Sequence, residues 1–170
     1  MSLTRSVSLT RGSSVLLSAL ALASAVAMAG GETFRLEVGP PVAAGAQYRT
    51  KGALFAARPR GCNDPSAVQM TASAEGLVAG KRQSIPLKLV DLAEGARVVT
   101  SQWTTDGTWV VVLNAVCGNP RSTAATIVRV PGFGTFSREG MQSLDHTATP
   151  KEIDAALTSF ARAQTKSPQS

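Results

Sequence analysis

The stretch that decides the fold reads Asp106-Gly107-Thr108-Trp109-Val110-Val111-Val112-Leu113-Asn114-Ala115-Val116-Cys117-Gly118-Asn119-Pro120. From Trp109 to Leu113 every residue is apolar, so both faces of an extended chain are apolar there. Such a run belongs to a strand in the middle of a sheet, covered on both sides. Its valines favour the pleated conformation, and Gly118-Asn119-Pro120 ends it. Asp106-Gly107 tolerates positive φ at both residues and predicts a tight hairpin to the strand before.

Outward from this strand, period-two alternation recurs between Gly, Pro and Asp breaks. Downstream, Thr123 to Val130 is a β-branched strand. Upstream, Ala96 to Thr104 forms the hairpin partner, and Ile85-Pro86-Leu87-Lys88-Leu89 forms one strand before that. Pro86 lacks an N–H donor, which places that strand at a sheet edge. Val68, Met70, Ala72 and Ala74 alternate with polar residues in a further strand, and Glu75-Gly76 opens the turn that runs to Gly80-Lys81. Gln47 to Ala57, centred on Gly52 to Ala56, is a strand stopped by Pro59. Phe34, Leu36 and Val38 alternate with Arg35 and Glu37 in the first strand, Gly39-Pro40-Pro41 stops it, and a loop over 42–46 follows. Seven short strands about ten residues apart describe a β-sandwich or a small barrel.

The C-terminal end changes period. Thr149-Pro150-Lys151-Glu152 is a capping box with Pro at the first helical position. Ile153, Ala156, Leu157 and Phe160 then recur at helical spacing. A helix over 149–163 is expected, its stripe covering the β-domain, with 164–170 a frayed tail.

Over residues 85–113 the chain resembles small secreted immunoglobulin-like modules, the YtkA-like and carboxypeptidase-regulatory-like domains of bacterial exported proteins. The residues that carry this are Ile85-Pro86-Leu87-Lys88-Leu89, Gly95-Ala96-Arg97-Val98-Val99 and Asp106-Gly107-Thr108-Trp109-Val110-Val111-Val112. Arg97 and Val98 stand where those families often carry an aromatic residue, and both tryptophans precede the second Cys closely. The resemblance implies an immunoglobulin-like or transthyretin-like antiparallel β-sandwich of about seven strands with one C-terminal α-helix. It implies no activity.

The first thirty residues read as an address. Arg5 and Arg11 precede an uncharged run from Ser14 to Ala29, and Ala27-Met28-Ala29 fits the small-x-small cleavage rule. Residues 1–29 are therefore expected to be a secretory signal peptide and 30–148 the β-domain. The apolar run is shorter and richer in Ala and Ser than a membrane span. Removal of Arg5 and Arg11 with the leader would lower the net charge from +6 to +4, with 15 bases against 11 acids. Those bases are scattered and not interleaved with aromatics, which argues against a nucleic-acid partner. Export would place the only two cysteines, Cys62 and Cys117, where disulfides persist, and they lack the Cys-x-x-Cys spacing of redox sites.

With 44% apolar and 16% charged residues the chain can bury a core. Its supply of chemical side chains is thin. His146 is the only imidazole, with Asp145 and Ser143 near it in sequence. Adjacent residues do not make a triad, and a solvated histidine ahead of a helix is the plainer reading. As soft copper ligands His146 would need Met70 or Met141, yet no paired His motif or Met cluster accompanies them, so no metal and no cofactor is assigned. Asp91 with Glu94, and Glu152 with Asp154, are the acid pairs a glycosidase would need, and each also suits a turn or a helix start. Trp103 and Trp109 are a candidate platform for a glycan or peptide, although such residues more often fill the core or cover the end of a sandwich.

Two functions are carried forward. One is an exported, non-enzymatic β-sandwich module that binds a protein, a glycan or an envelope component, or serves as a structural part of the envelope. The alternative is a small periplasmic copper-binding accessory protein or a hydrolase using His146.

Overall fold

In a computed structural model the chain divides into two units, Met1–Gly30 and Gly31–Ser170. The structure describes residues 32–41, 52–104, 106–118, 121–131 and 137–166, all in the second. The leader (1–29), the loop over 42–46, the first residues of the second expected strand and residues 167–170 lie outside the described residues.

The described residues are mainly β, in two antiparallel sheets with one C-terminal helix. The strands are β1 (Arg35–Gly39), β2 (Ala53–Arg60), β3 (Gln69–Val78), β4 (Lys81–Pro86), β5 (Leu89–Asp91), β6 (Arg97–Thr100), β7 (Thr108–Cys117), β8 (Ser122–Val130) and β9 (Gln142–Leu144). A four-stranded sheet has the order β1-β2-β6-β5, and a five-stranded sheet the order β4-β3-β7-β8-β9. The helix α1 spans Pro150–Lys166.

The apolar run at 109–113 has the central place expected of it, β7 lying between β3 and β8. Its two faces serve two cores. Trp109, Val111 and Leu113 join Leu36, Val38, Phe55, Ala57 and Val99 from the other sheet in one cluster. Val110 and Val112 face the opposite way and meet Ile127 of β8 and Ile153, Ala156, Leu157 and Phe160 of α1. The alternation at Phe34, Leu36 and Val38 also holds, all three being buried.

Several expectations are corrected. Asp106-Gly107 is not a hairpin: β6 belongs to the four-stranded sheet and β7 to the five-stranded one, so this is a corner between sheets. Positive φ is needed there all the same, since Gly107 has φ +88° and a Cβ would stand 2.5 Å from the Leu77 carbonyl. The single strand expected over 85–89 is also a crossing. Pro86 ends edge strand β4, the Leu87 N–H donates to the Ala72 carbonyl at 2.9 Å, and Leu89 begins β5 at the edge of the other sheet. The alternation of Ile85, Leu87 and Leu89 continues through this second crossing, and only pairing separates the two strands.

Glu75-Gly76 is not a turn. β3 runs on to Val78, and the turn to β4 is Ala79-Gly80 with φ +47° and +76°, the positive pair of a two-residue hairpin. Gly76 serves instead as the floor under an aromatic ring: a Cβ there would lie 2.4 Å from Trp109 Cε3. Pro59 does not stop β2: pairing with β6 ends at Ala57, while the ladder with β1 runs on through Leu36↔Pro59 to Arg35↔Arg60. The strands number nine among the described residues, not seven. β9 is too short, at three residues, to show a period. The helix extends past 163 to Lys166.

Candidate functional site

The residues singled out for chemistry fall in three places: the covered face under α1, the entry to that helix, and the corner beside the tryptophans.

At the entry, the capping box forms as the sequence predicts. The Thr149 N–H and Oγ1 reach Glu152 Oε2 at 2.8 and 2.6 Å, and the Glu152 N–H returns to Thr149 Oγ1 at 3.4 Å. Ahead of it, the Ala148 N–H donates to Asn114 Oδ1 at 2.9 Å, which ties the pre-helix segment to β7. His146 lies between two acids: Nδ1 is 2.9 Å from Asp145 Oδ1 and Nε2 is 2.9 Å from Glu152 Oε1. The Thr149 hydroxyl and amide, then the His146 ring, hold the Glu152 carboxyl down to about 2. The hydrogen bond from His146 lowers Asp145, and the bonds to Asp145 and then Glu152 raise His146.

His146 stays half exposed ahead of the helix, as the plainer reading had it. Both of its ring nitrogens are engaged by carboxylates, and Ser143 lies on β9 in register with Thr126. Met70 and Met141 are packed against the inter-sheet core. Among the described residues, no group of three or more His, Cys, Asp or Glu is arranged to hold a metal ion.

Under the helix, sequence reasoning missed a polar cluster. Glu75, only 7% exposed, accepts from Ser73 Oγ at 2.6 Å, Ser84 Oγ at 2.7 Å and Arg82 Nη2 at 3.0 Å. Arg82 also pairs with Asp154 on α1. The signal was present but weak: Ser73, Glu75 and Leu77 share one face of β3 by their period of two. Reading Glu75 as part of a turn hid it. Buried carboxylates need such partners, because an unpaired one is costly to desolvate. Beyond Asp154, the helix is held by Arg129 of β8, whose Nη2 donates to Ser159 Oγ at 2.6 Å and whose guanidinium lies 5.7 Å from the Phe160 ring centre.

Three of the four paired acids are taken up as well. Asp91 pairs with Arg97 at 2.5 Å, Asp154 with Arg82, and Glu152 with the cap. Arg60 pairs with Glu37 at 2.7 Å, which lowers the carboxyl of Glu37. These pairs use several of the bases that a polyanion would need.

Trp103 and Trp109 sit together, ring centres 6.2 Å apart and planes tilted by 34°. They are 9% and 3% exposed, within the inter-sheet core, which removes the open faces an aromatic platform needs. Cys62, two residues past β2, and Cys117, the last residue of β7, stand at disulfide distance with Cα atoms 5.9 Å apart. No helix among the described residues is long and apolar enough to cross a membrane.

Comparison with protein-family models, with curated proteins and with solved structures finds no match for this chain.

Proposed function

We propose that this chain is an exported, non-enzymatic module of the bacterial cell envelope, built as an immunoglobulin-like sandwich, with a binding or structural role. The observation that carries the reading is the Cys62–Cys117 pair, which joins the ends of β2 and β7. With β1 to β8 lettered A, B, C, C′, D, E, F and G, the sheets read A-B-E-D and C′-C-F-G, an order found in immunoglobulin domains, with β9 added beyond G. The cysteine pair then links the segment just past strand B to the end of strand F, the two strands that the inter-sheet bridge of those domains joins. The crossing at Asp106-Gly107 becomes the E–F corner.

The export half is supported by the leader-like residues 1–29 together with a disulfide, a bond that persists in oxidising compartments. The non-enzymatic half is supported by the fate of the chemical residues. His146, Asp91, Glu152 and Asp154 each pair with a partner within the chain. The partner would be a protein, a glycan or another envelope component.

The test is recovery of the chain from a bacterial host with an intact export pathway. The expected product begins at Gly30, resists alkylation until reduced, and co-fractionates with the envelope. A product beginning at Met1, or one with two free thiols, overturns export. A chain wholly released from the envelope in low salt overturns the binding role.

A further inference from the structure

His146 is the only histidine of the chain. It stands where the segment after β9 enters α1, with a carboxylate oxygen 2.9 Å from each ring nitrogen. A neutral imidazole carries one N–H and one lone pair. Between two carboxylates it would satisfy one and set lone pair against lone pair at the other. The imidazolium donates from both nitrogens and satisfies both. One of those carboxylates, Glu152, also closes the capping box through its second oxygen. A single side chain therefore couples the ring to the first turn of the helix.

We propose that His146 is a pH-sensitive clamp on the entry to α1, bridging Asp145 and Glu152 across the helix start while protonated and letting go of one of them when the proton leaves. The charged groups acting on the ring are Asp145 from its own segment and Glu152 from α1. β9, which precedes it, contributes only Gln142, Ser143 and Leu144. The bonds to Asp145 and Glu152 raise the ring above its ordinary value, so the folded state holds the proton more tightly than the unfolded chain. The clamp is then fully present below about 6.5 and is lost as pH rises through the higher folded-state value. Release is local, because Asn114 still holds the Ala148 amide and Thr149 still caps the helix.

A lone imidazole makes the test direct. The Cε1–H resonance of the full chain is followed by NMR from pH 5 to 9.5, together with the amide proton of Thr149, in wild type and Glu152→Gln. Gln at this position still serves a capping box, so the variant keeps its helix start. The expected wild-type midpoint lies above about 6.5, the Thr149 amide moves with the same midpoint, and Glu152→Gln shifts the midpoint down. A midpoint at or below the ordinary value overturns the clamp. So does a raised midpoint that the Thr149 amide does not follow, or one that Glu152→Gln leaves unchanged.

Discussion

The indole N–H of Trp109 donates to the backbone carbonyl of Asp106 at 2.6 Å. The first large side chain of the central strand thus fastens the corner through which the chain enters that strand. In immunoglobulin domains a tyrosine at the head of strand F bonds back to the corner in the same sense. The ring has Trp103 at 6.2 Å between ring centres and Gly76 close against it.

Gly76→Ala tests that close approach. Its φ is not positive, so any cost is steric, and the new methyl would stand 2.4 Å from Trp109 Cε3. A ring held by a hydrogen bond and a second indole has little room to step aside. The expected loss is about 1–3 kcal/mol, the range for overpacked cores, read as a lower urea midpoint at unchanged slope. Unfolding indistinguishable from wild type would show that the ring has room to move.

Thr126 offers the opposite sign. It is fully buried on β8, and its Oγ1 has no hydrogen-bond partner among the described residues. Thr126→Val keeps the shape and removes the stranded hydroxyl, so stability is expected to rise by about 1 kcal/mol. Calorimetry reads this as a melting temperature higher by roughly 2–6 °C. Thr126→Ser, which keeps the hydroxyl and loses the methyl, should fall below wild type.

The elements legible in the sequence were those whose reading is local. The β7 run at 109–113 announced two covered faces because five consecutive apolar residues leave no solvent side. The helix start was legible because Thr149 and Glu152 carry both halves of the cap. What escaped was which sheet a strand joins. Asp106-Gly107 has the same backbone chemistry in a hairpin and in a corner, and the alternation of Ile85, Leu87 and Leu89 runs unbroken across a change of sheet. Glu75 escaped for a related reason: two of its partners, Ser84 and Arg82, come from the neighbouring strand, and only Ser73 stands near it in sequence. His146 was noticed for its chemistry, while its bond to Glu152, six residues on, depends on where the helix begins.

Reducing the Cys62–Cys117 bond should be costly. The cysteines are 55 residues apart in sequence, and a loop of that length corresponds to about 4 kcal/mol in the chain-entropy model. Urea unfolding with and without reductant is expected to show a difference of that order. A Cys62→Ser/Cys117→Ser variant should behave like the reduced protein. A reduced chain as stable as the oxidised one would mean that the bond constrains little in the unfolded state.

The last prediction concerns the seat of α1. Leu157 is 3% exposed and packs with Val110, Val112 and Ile127 in the second core. Ala is the best helix former, so Leu157→Ala leaves the helix's own propensity intact and removes only packing. Truncation of a buried Leu costs about 2–5 kcal/mol, and a clear drop in melting temperature is expected. Thr158→Ala, one residue on, is the matched control. Its exposed hydroxyl bonds back to the Asp154 carbonyl at 2.8 Å, a contact that slightly disfavours helices. That variant should melt at or above the wild-type temperature. Equal melting of the two variants would mean that the helix is not seated on β7 and β8 in solution. The clear contrast expected between neighbouring positions follows from the sheet beneath them: Leu157 packs with Val110 and Val112 in the second core, so a helix that loses its Leu loosens the cover on the outer side of the central strand.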